Sequence, residues 1–294
     1  MFCGILIKLR AIGTECYIGT VRRAALISAK IILDSLPLNG RSERLTTVEI
    51  CMPRIILAEF NTHRAFSRNS ASSRARPFAR QAEAVTNDPF IPILWASEQS
   101  GMQGGKAIDQ AGKAEEIWLE ARDASLEQAT KLASLGVHKS IVNRLIEPFL
   151  WQDVVATSTE SGWVNFFSQR CSPLAQPEME AVAKAVKKEM VESHPRRIST
   201  DEWHMPYIQA DEMDLPVSVR MQLSVARCAA VSYHSFGDKI DREADIRRYE
   251  KLINASPPHL SPFEHVAKPS LTSHVGNFVG WEQLRESIHY SPIS

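Results

Sequence analysis

The sequence predicts an α+β fold, a small antiparallel sheet packed with long helices. Three observations lead there. Residues 45–52 place Val48, Ile50 and Met52 at alternate positions, the period of a strand. Residues 106–135 and 177–192 repeat small and apolar side chains at three- and four-residue steps, the period of an amphipathic helix. The segments between them are polar and punctuated by Pro77, Pro89 and Pro92.

The elements follow in order. Pro53 suits the first turn of a helix over 54–61. A Ser-rich stretch after it reads as a loop too polar for the core. In the 106–135 helix the inward stripe is Ala111, Ala114, Trp118, Ala121, Ser125, Gln128 and Leu132, with Gly136 at the C-cap. A second helix is expected over 138–147, stopped or kinked by Pro148. A third runs over 177–192 with Met179, Val182, Ala183, Val186 and Met190 on one face. Residues 195–217 read as a long connection, and 222–232 as either helix or strand. Asp241 caps a helix carrying Ile246, Tyr249 and Ile253.

Composition narrows the function classes. The 294 residues are 44% hydrophobic and 23% charged, enough for a sizeable core. Lys+Arg and Asp+Glu are both 34, so no global field favours nucleic acid or a membrane surface. No apolar run reaches the roughly 18–20 residues of a membrane span. Five scattered cysteines without a C-x-x-C pair suggest neither zinc nor a disulfide framework, and a reducing cytoplasm is the expected compartment. Cys171, beside Arg170, reads as an inert thiol before it reads as a nucleophile. The histidines at 194, 204, 234, 274 and 289 lack ligand spacing, so no metal is expected. Residues 1–25 are expected to be an N-terminal extension and 26–294 a single domain.

Any anion site must come from local clustering. Arg64, Arg68, Arg74, Arg76 and Arg80 supply it, interleaved with His63, Ser67, Asn69, Ser70, Ser72 and Ser73 and with no carboxylate between 62 and 74. Arginine forks and serine hydroxyls in such a run suit a phosphate.

The stretch Thr62-His63-Arg64-Ala65-Phe66-Ser67-Arg68-Asn69-Ser70-Ala71-Ser72-Ser73-Arg74 resembles the signature of the flavin-dependent thymidylate synthases, R-H-R-x-x-S-x-N-x-x-S-x-R. Three further blocks resemble the same family. Ala226–Tyr233 is similar to its A-A-R-V-S-[YF] segment and Pro258–His265 to its G-H-x-[ST]-P-F-E-H segment. Arg144–Pro148 and Asn165–Arg170 are similar to R-x-x-L-P and N-F-x-x-x-R. In the family the P-F-E-H block precedes the arginine signature, whereas here it follows it. The resemblance therefore implies the family fold in circularly permuted form, and permutation requires the chain after His265 to neighbour the chain before Leu45. A compact permuted nucleotide-supply enzyme would suit a phage and its host cytoplasm.

The resemblance implies C5 methylation of a pyrimidine deoxynucleotide, dUMP to dTMP, with FAD as cofactor and methylenetetrahydrofolate and NADPH as co-substrates. It implies a homotetramer with shared sites. Arg170 and Arg74 would be catalytic. Glu59, Ser70, Ser72, Ser73, Arg74, Arg144 and Arg170 would bind the nucleotide. His63, Arg64, Ala65, Ser67, Asn69, Asn165, Ser232, His259, Ser261 and Glu264 would serve the flavin. Ser261 and Glu264 could also form a capping box. Thr62, Ser161 and Leu174 depart from expected flavin contacts, while Glu59 and Ser70 depart from nucleotide contacts. Two alternatives follow: an enzyme of the same fold acting on dCMP, by methylation or hydroxymethylation, and a nucleotide- or nucleic-acid-binding protein that has lost flavin. The neutral net charge counts against nucleic acid.

Overall fold

A computed structural model describes residues 27–232, 241–271 and 276–288. The extension expected at 1–25, and Tyr233, His234, His274 and His289, lie outside the described residues. The chain enters as strands β1 (Ser28–Pro37) and β2 (Leu45–Pro53) and a 3-10 turn (Arg54–Ile56). The short helix α1 (Leu57–Phe60), strand β3 (Ser67–Ser70) and helix α2 (Phe78–Asn87) come next. Helices α3 (Ala111–Ser134) and α4 (Lys139–Val142) lead into a 3-10 segment (Asn143–Phe149) and strand β4 (Trp151–Thr159). Helices α5 (Glu160–Arg170) and α6 (Pro177–Glu192) precede strand β5 (Arg196–Ile198). Helices α7 (Val217–Ala230) and α8 (Arg242–Ile253), a 3-10 turn (Ser261–His265), the pair β6 (Ala267–Pro269) and β7 (Trp281–Gln283) and a last 3-10 turn (Leu284–Ser287) follow.

The fold is α+β, as expected. Its main sheet has the order β3-β4-β2-β1-β5. The sheet departs from the antiparallel expectation at one edge, where β5 runs parallel to β1. The alternation in β2 divides the sheet into two faces. Val48, Ile50 and Met52 point to one, which α6 covers with Met179, Val182, Ala183, Val186 and Met190. The α6 boundaries and its buried stripe are those read from periodicity, with Pro177 at N1 and Glu178 and Glu180 in the first turn, where acidic groups favour the helix dipole. Full burial of each such Val or Met contributes about 1.5–3 kcal/mol. The opposite face carries Leu45, Thr47, Val155 and Thr157 and is covered by the C-terminal chain.

Several expectations need correction. The Ser-rich stretch is not wholly a loop: Ser67–Ser70 pairs with β4 as an edge strand, and Phe66, Ser67 and Asn69 are buried. The 106–135 helix starts only at Ala111. Ala121 and Gln128 face solvent and Ala129 is the buried residue, because the stripe drifts by one position along an ideal 3.6-residue repeat. Gly136 does end the helix in the left-handed conformation (φ 79°), with Gly136 N–H donating to Ala133 and Val137 N–H to Leu132, a Schellman closure. Beyond Val142 the second helix is 3-10 and runs through Pro148, whose missing N–H costs that short segment little. Residues 195–217 contain β5. The 222–232 stretch is helix, with every residue from Leu223 to Ala230 buried. Asp241 caps α8 by accepting from Ala244 N–H at 3.1 Å.

The adjacency that permutation requires is present. Ser42 Oγ donates to the Gly280 carbonyl at 2.7 Å and Trp281 Nε1 to the Glu43 carbonyl at 3.0 Å. Leu45 packs in one cluster with Ala267, Phe278 and Trp281.

Candidate functional site

β3 and the chain on either side of it organise three groups of candidate residues. The first lies where α1 meets the end of α5. Phe60 and Phe66 bury against Phe166 and bring His63 under Arg170. Arg170 NH1 pairs with the Glu59 carboxylate, and its Nε donates to His63 Nε2 at 3.0 Å. Burial, with Arg170 and then Arg68 adding repulsion, lowers the His63 pKa to about 4, so the ring is a neutral acceptor. Arg68 donates to the His63 carbonyl at 2.6 Å. Glu59 and His63 thus fix the plane of the Arg170 guanidinium from two sides.

The second group surrounds a cleft beneath residues 71–76, lined by Arg54, Ser72, Ser73, Arg76, Asn143 and Glu147 among others. Glu147 is held by Arg54 (3.1 Å), Arg144 (3.1 Å) and the Ser73 hydroxyl. Asn143 Nδ2 fixes the loop by donating to the carbonyls of Ser73 (2.6 Å) and Arg76 (3.0 Å). Among the described residues, Arg76 Nε, Trp151 Nε1 and Asn143 Oδ1 are buried without a hydrogen-bond partner, and all three residues line this cleft. The cleft encloses about 20 Å³, the room of roughly one water molecule, which is the usual partner for buried polar groups of this kind. Arg74 is exposed with no side-chain partner among the described residues, and Ser72 Oγ accepts from its backbone N–H at 3.3 Å. A groove of about 450 Å³ between Arg54, Arg144 and Pro148 opens beside the cleft.

The third group joins β3 to the C-terminal layer. Ser67 Oγ accepts from Asn277 Nδ2 (3.0 Å) and Gln283 Nε2 (3.2 Å). Asn69 lies between His265 (3.0 Å) and Ser261 (3.4 Å). Ser232 Oγ donates to the Ser70 carbonyl at 3.1 Å. Glu264 pairs with Arg285 and accepts from Asn277 at 3.4 Å. The capping box expected of Ser261 and Glu264 is absent, because the 3-10 turn has Leu260 at its N-cap and both side chains are turned to tertiary partners.

The remaining candidates are more dispersed. Arg64, Ala65, Asn165 and His259 are exposed; Asn165 accepts from Gln169 one turn along α5 at 3.0 Å. Leu174 is 69% exposed, and Ser161 N–H donates to Glu43 at 2.9 Å. The Cys171 pKa is raised by burial against the α6 core, which removes the activated-thiol reading. Sequence reasoning passed over Arg54, Asn143 and Glu147 as site residues. Glu147 lay inside a segment already singled out, but its arginine partner is 93 positions away.

The family model described as thymidylate synthase complementing protein matches residues 45–196, just over half of the chain. The chain belongs to that family. Its matched span contains all of the first two groups, whereas the P-F-E-H segment that completes the third lies outside it. Two solved structures of a UMP/dUMP methylase PolB from Streptomyces cacaoi are similar to this chain. The one bound with 5-Br dUMP has a TM-score of 0.48 and 15% identity over 57% of this chain and 91% of that one. The one bound with 5-Br UMP has a TM-score of 0.47 and 15% identity over 57% and 90%. No curated protein sequence matches. No described helix is long and apolar enough to cross a membrane.

Proposed function

We propose that this family member methylates C5 of a pyrimidine deoxynucleotide monophosphate, with dUMP as substrate. The observation that carries the reading is the basic, hydroxyl-bearing segment 72–76, with Arg54 and Arg144 held beside it through Glu147. Glu147 there is already paired with Arg54 and Arg144, and Arg76 with Asp153, which leaves the exposed guanidinium of Arg74 for an anionic ligand. Ser72, Ser73 and Arg144 would hold the phosphate end, with Ser70 at the near edge. Arg170, fixed by Glu59 and neutral His63, would place positive charge beside the ring as C5 becomes nucleophilic.

The flavin expected of the family would lie on the surface that carries Arg64, Ala65, His259 and Ser261. Arg64 has no side-chain partner among the described residues and, with Ala65, His259 and Ser261, is open to solvent. Ser67 and Asn69 are engaged within the chain and would support that surface from beneath. A bound FAD would supply the hydride, methylenetetrahydrofolate the carbon, and NADPH the reducing equivalents. We further infer a homotetramer, which sedimentation tests; a fully active monomer would refute it.

The deciding experiment supplies dUMP, methylenetetrahydrofolate, NADPH and FAD and measures dTMP. A parallel reaction with dCMP tests the second reading, which Glu59 favours because a carboxylate accepts from an exocyclic amine but cannot donate to a carbonyl. Nucleotide binding with no turnover of either base would defeat the enzyme reading.

A further inference from the structure

A hydrogen-bonded row crosses the sheet face beneath the C-terminal layer. Sheet register puts Ser35 of β1, Thr47 of β2, Thr157 of β4 and Asn69 of β3 on the same face. His204 bridges Ser35 and Thr47, with Nδ1 2.8 Å from Ser35 Oγ and Nε2 2.8 Å from Thr47 Oγ1. Thr47 and Thr157 hydroxyls meet at 2.6 Å. His265 bridges Thr157 and Asn69, with Nδ1 2.7 Å from Thr157 Oγ1 and Nε2 3.0 Å from Asn69 Oδ1. Asn69 Nδ2 then donates to Ser261 Oγ at the protein surface. Both rings are fully buried and, through burial, neutral, with pKa values lowered to about 3.

Neutral rings impose one direction on this row. A neutral imidazole has one donor and one acceptor nitrogen, and each threonine hydroxyl has one proton. With Asn69 Oδ1 toward the ring, His265 Nε2 must donate, so its Nδ1 accepts from Thr157. Thr157 Oγ1 then accepts from Thr47, Thr47 accepts from His204 Nε2–H, and His204 Nδ1 accepts from Ser35. Flipping the Asn69 amide reverses every bond in the row. The tautomers of two histidines 61 positions apart in the sequence are therefore tied to the rotamer of one asparagine.

We propose that Ser35, His204, Thr47, Thr157, His265 and Asn69 form a single directional hydrogen-bond wire, and that His265 is a positioning residue that sets which end of the Asn69 amide faces Ser261 at the candidate flavin surface. The second half rests on the function proposed above; the first does not. The wire also explains why a polar row occupies a sheet face that elsewhere packs Leu45 against Trp281 and Ala267. It docks the C-terminal layer onto the sheet in one register, which apolar contacts alone would specify less sharply.

Nitrogen-15 NMR of histidine-labelled full-length protein tests the wire. We expect His204 and His265 both as Nε2–H tautomers, still neutral at pH 6. One Nε2–H ring and one Nδ1–H ring, or an imidazolium at pH 6, overturns it. Thr157→Val cuts the wire and is expected to release His204 into a mixture of tautomers while His265 stays Nε2–H; Thr157→Ser keeps the hydroxyl and both tautomers. A His204 tautomer unchanged in folded Thr157→Val overturns the coupling. For the positioning role, the amide of His265→Gln can still donate to Asn69, whereas His265→Asn is too short to reach it. FAD affinity is expected to fall about tenfold further in His265→Asn than in His265→Gln, roughly one hydrogen bond's worth. Equal affinities refute the positioning role. Wild-type protein that takes up no flavin at all refutes the flavin reading and leaves the wire to be decided by the tautomers.

Discussion

Lowering the pH from 7 to 5 is expected to destabilise this fold by about 6 kcal/mol, through three histidines acting alike. His63 is 6% exposed and His204 and His265 are fully buried, with pKa values of about 4, 3 and 3. In the unfolded chain each titrates near 6.5. Above that pH both states hold the rings neutral and there is no difference to count. Below it the unfolded chain binds protons that the folded chain refuses, so stability falls as pH falls, until His63 begins to charge in place near pH 4. By pH 5 each ring has cost about 2 kcal/mol, against a typical total of roughly 5–15 kcal/mol. Glu212 titrates outside this window. The hydrogen bonds of Arg227 hold its pKa down to about 2, so its contribution is lost only as pH falls below the ordinary carboxylate range. Urea denaturation followed by tryptophan fluorescence at pH 7, 6 and 5 measures the effect. A midpoint that is the same at pH 7 and pH 5 would refute the assignment of these rings as buried neutral groups.

Three more predictions follow from single contacts. Arg227→Ala removes the arginine that binds both Glu212 (2.6 Å) and Asp245 (2.8 Å) and leaves each buried carboxylate with one remaining partner, Arg242 and Arg248 respectively; the loss should be about 3 kcal/mol in a denaturant melt, the low end for breaking a buried ion pair. Met179→Ala empties part of the α6–sheet interface and should cost about 2–5 kcal/mol by the same assay. Arg74→Ala should weaken dUMP binding roughly tenfold or more in calorimetry, because a charged hydrogen bond is worth about 1.5–3 kcal/mol, yet leave the melting temperature unchanged, since Arg74 is exposed and unpaired among the described residues.

The sequence by itself determined the elements that carry a single period. β2 and α6 each expose one apolar face to one core, so alternation and 3.6-residue spacing located them to within a residue. It also located the arginine signature, because that motif is local. Strand β4 escaped notice because both of its faces are buried and its Val154-Val155-Ala156 run has no alternation to read. β3 was missed for the opposite reason: Ser67 and Asn69 are polar yet buried, and only the C-terminal partners Asn277, Gln283 and His265 make that burial tolerable. The cleft needed tertiary structure in the same way, since Arg54 and Glu147 become a pair only when the turn after β2 meets the segment before β4. Periodicity reports how a residue faces the nearest core. Which distant group satisfies a buried charge or amide depends on how the strands are ordered, and the sheet fixed that by lining up Ser35, Thr47, Thr157 and Asn69 on one face, where His204 and His265 meet them.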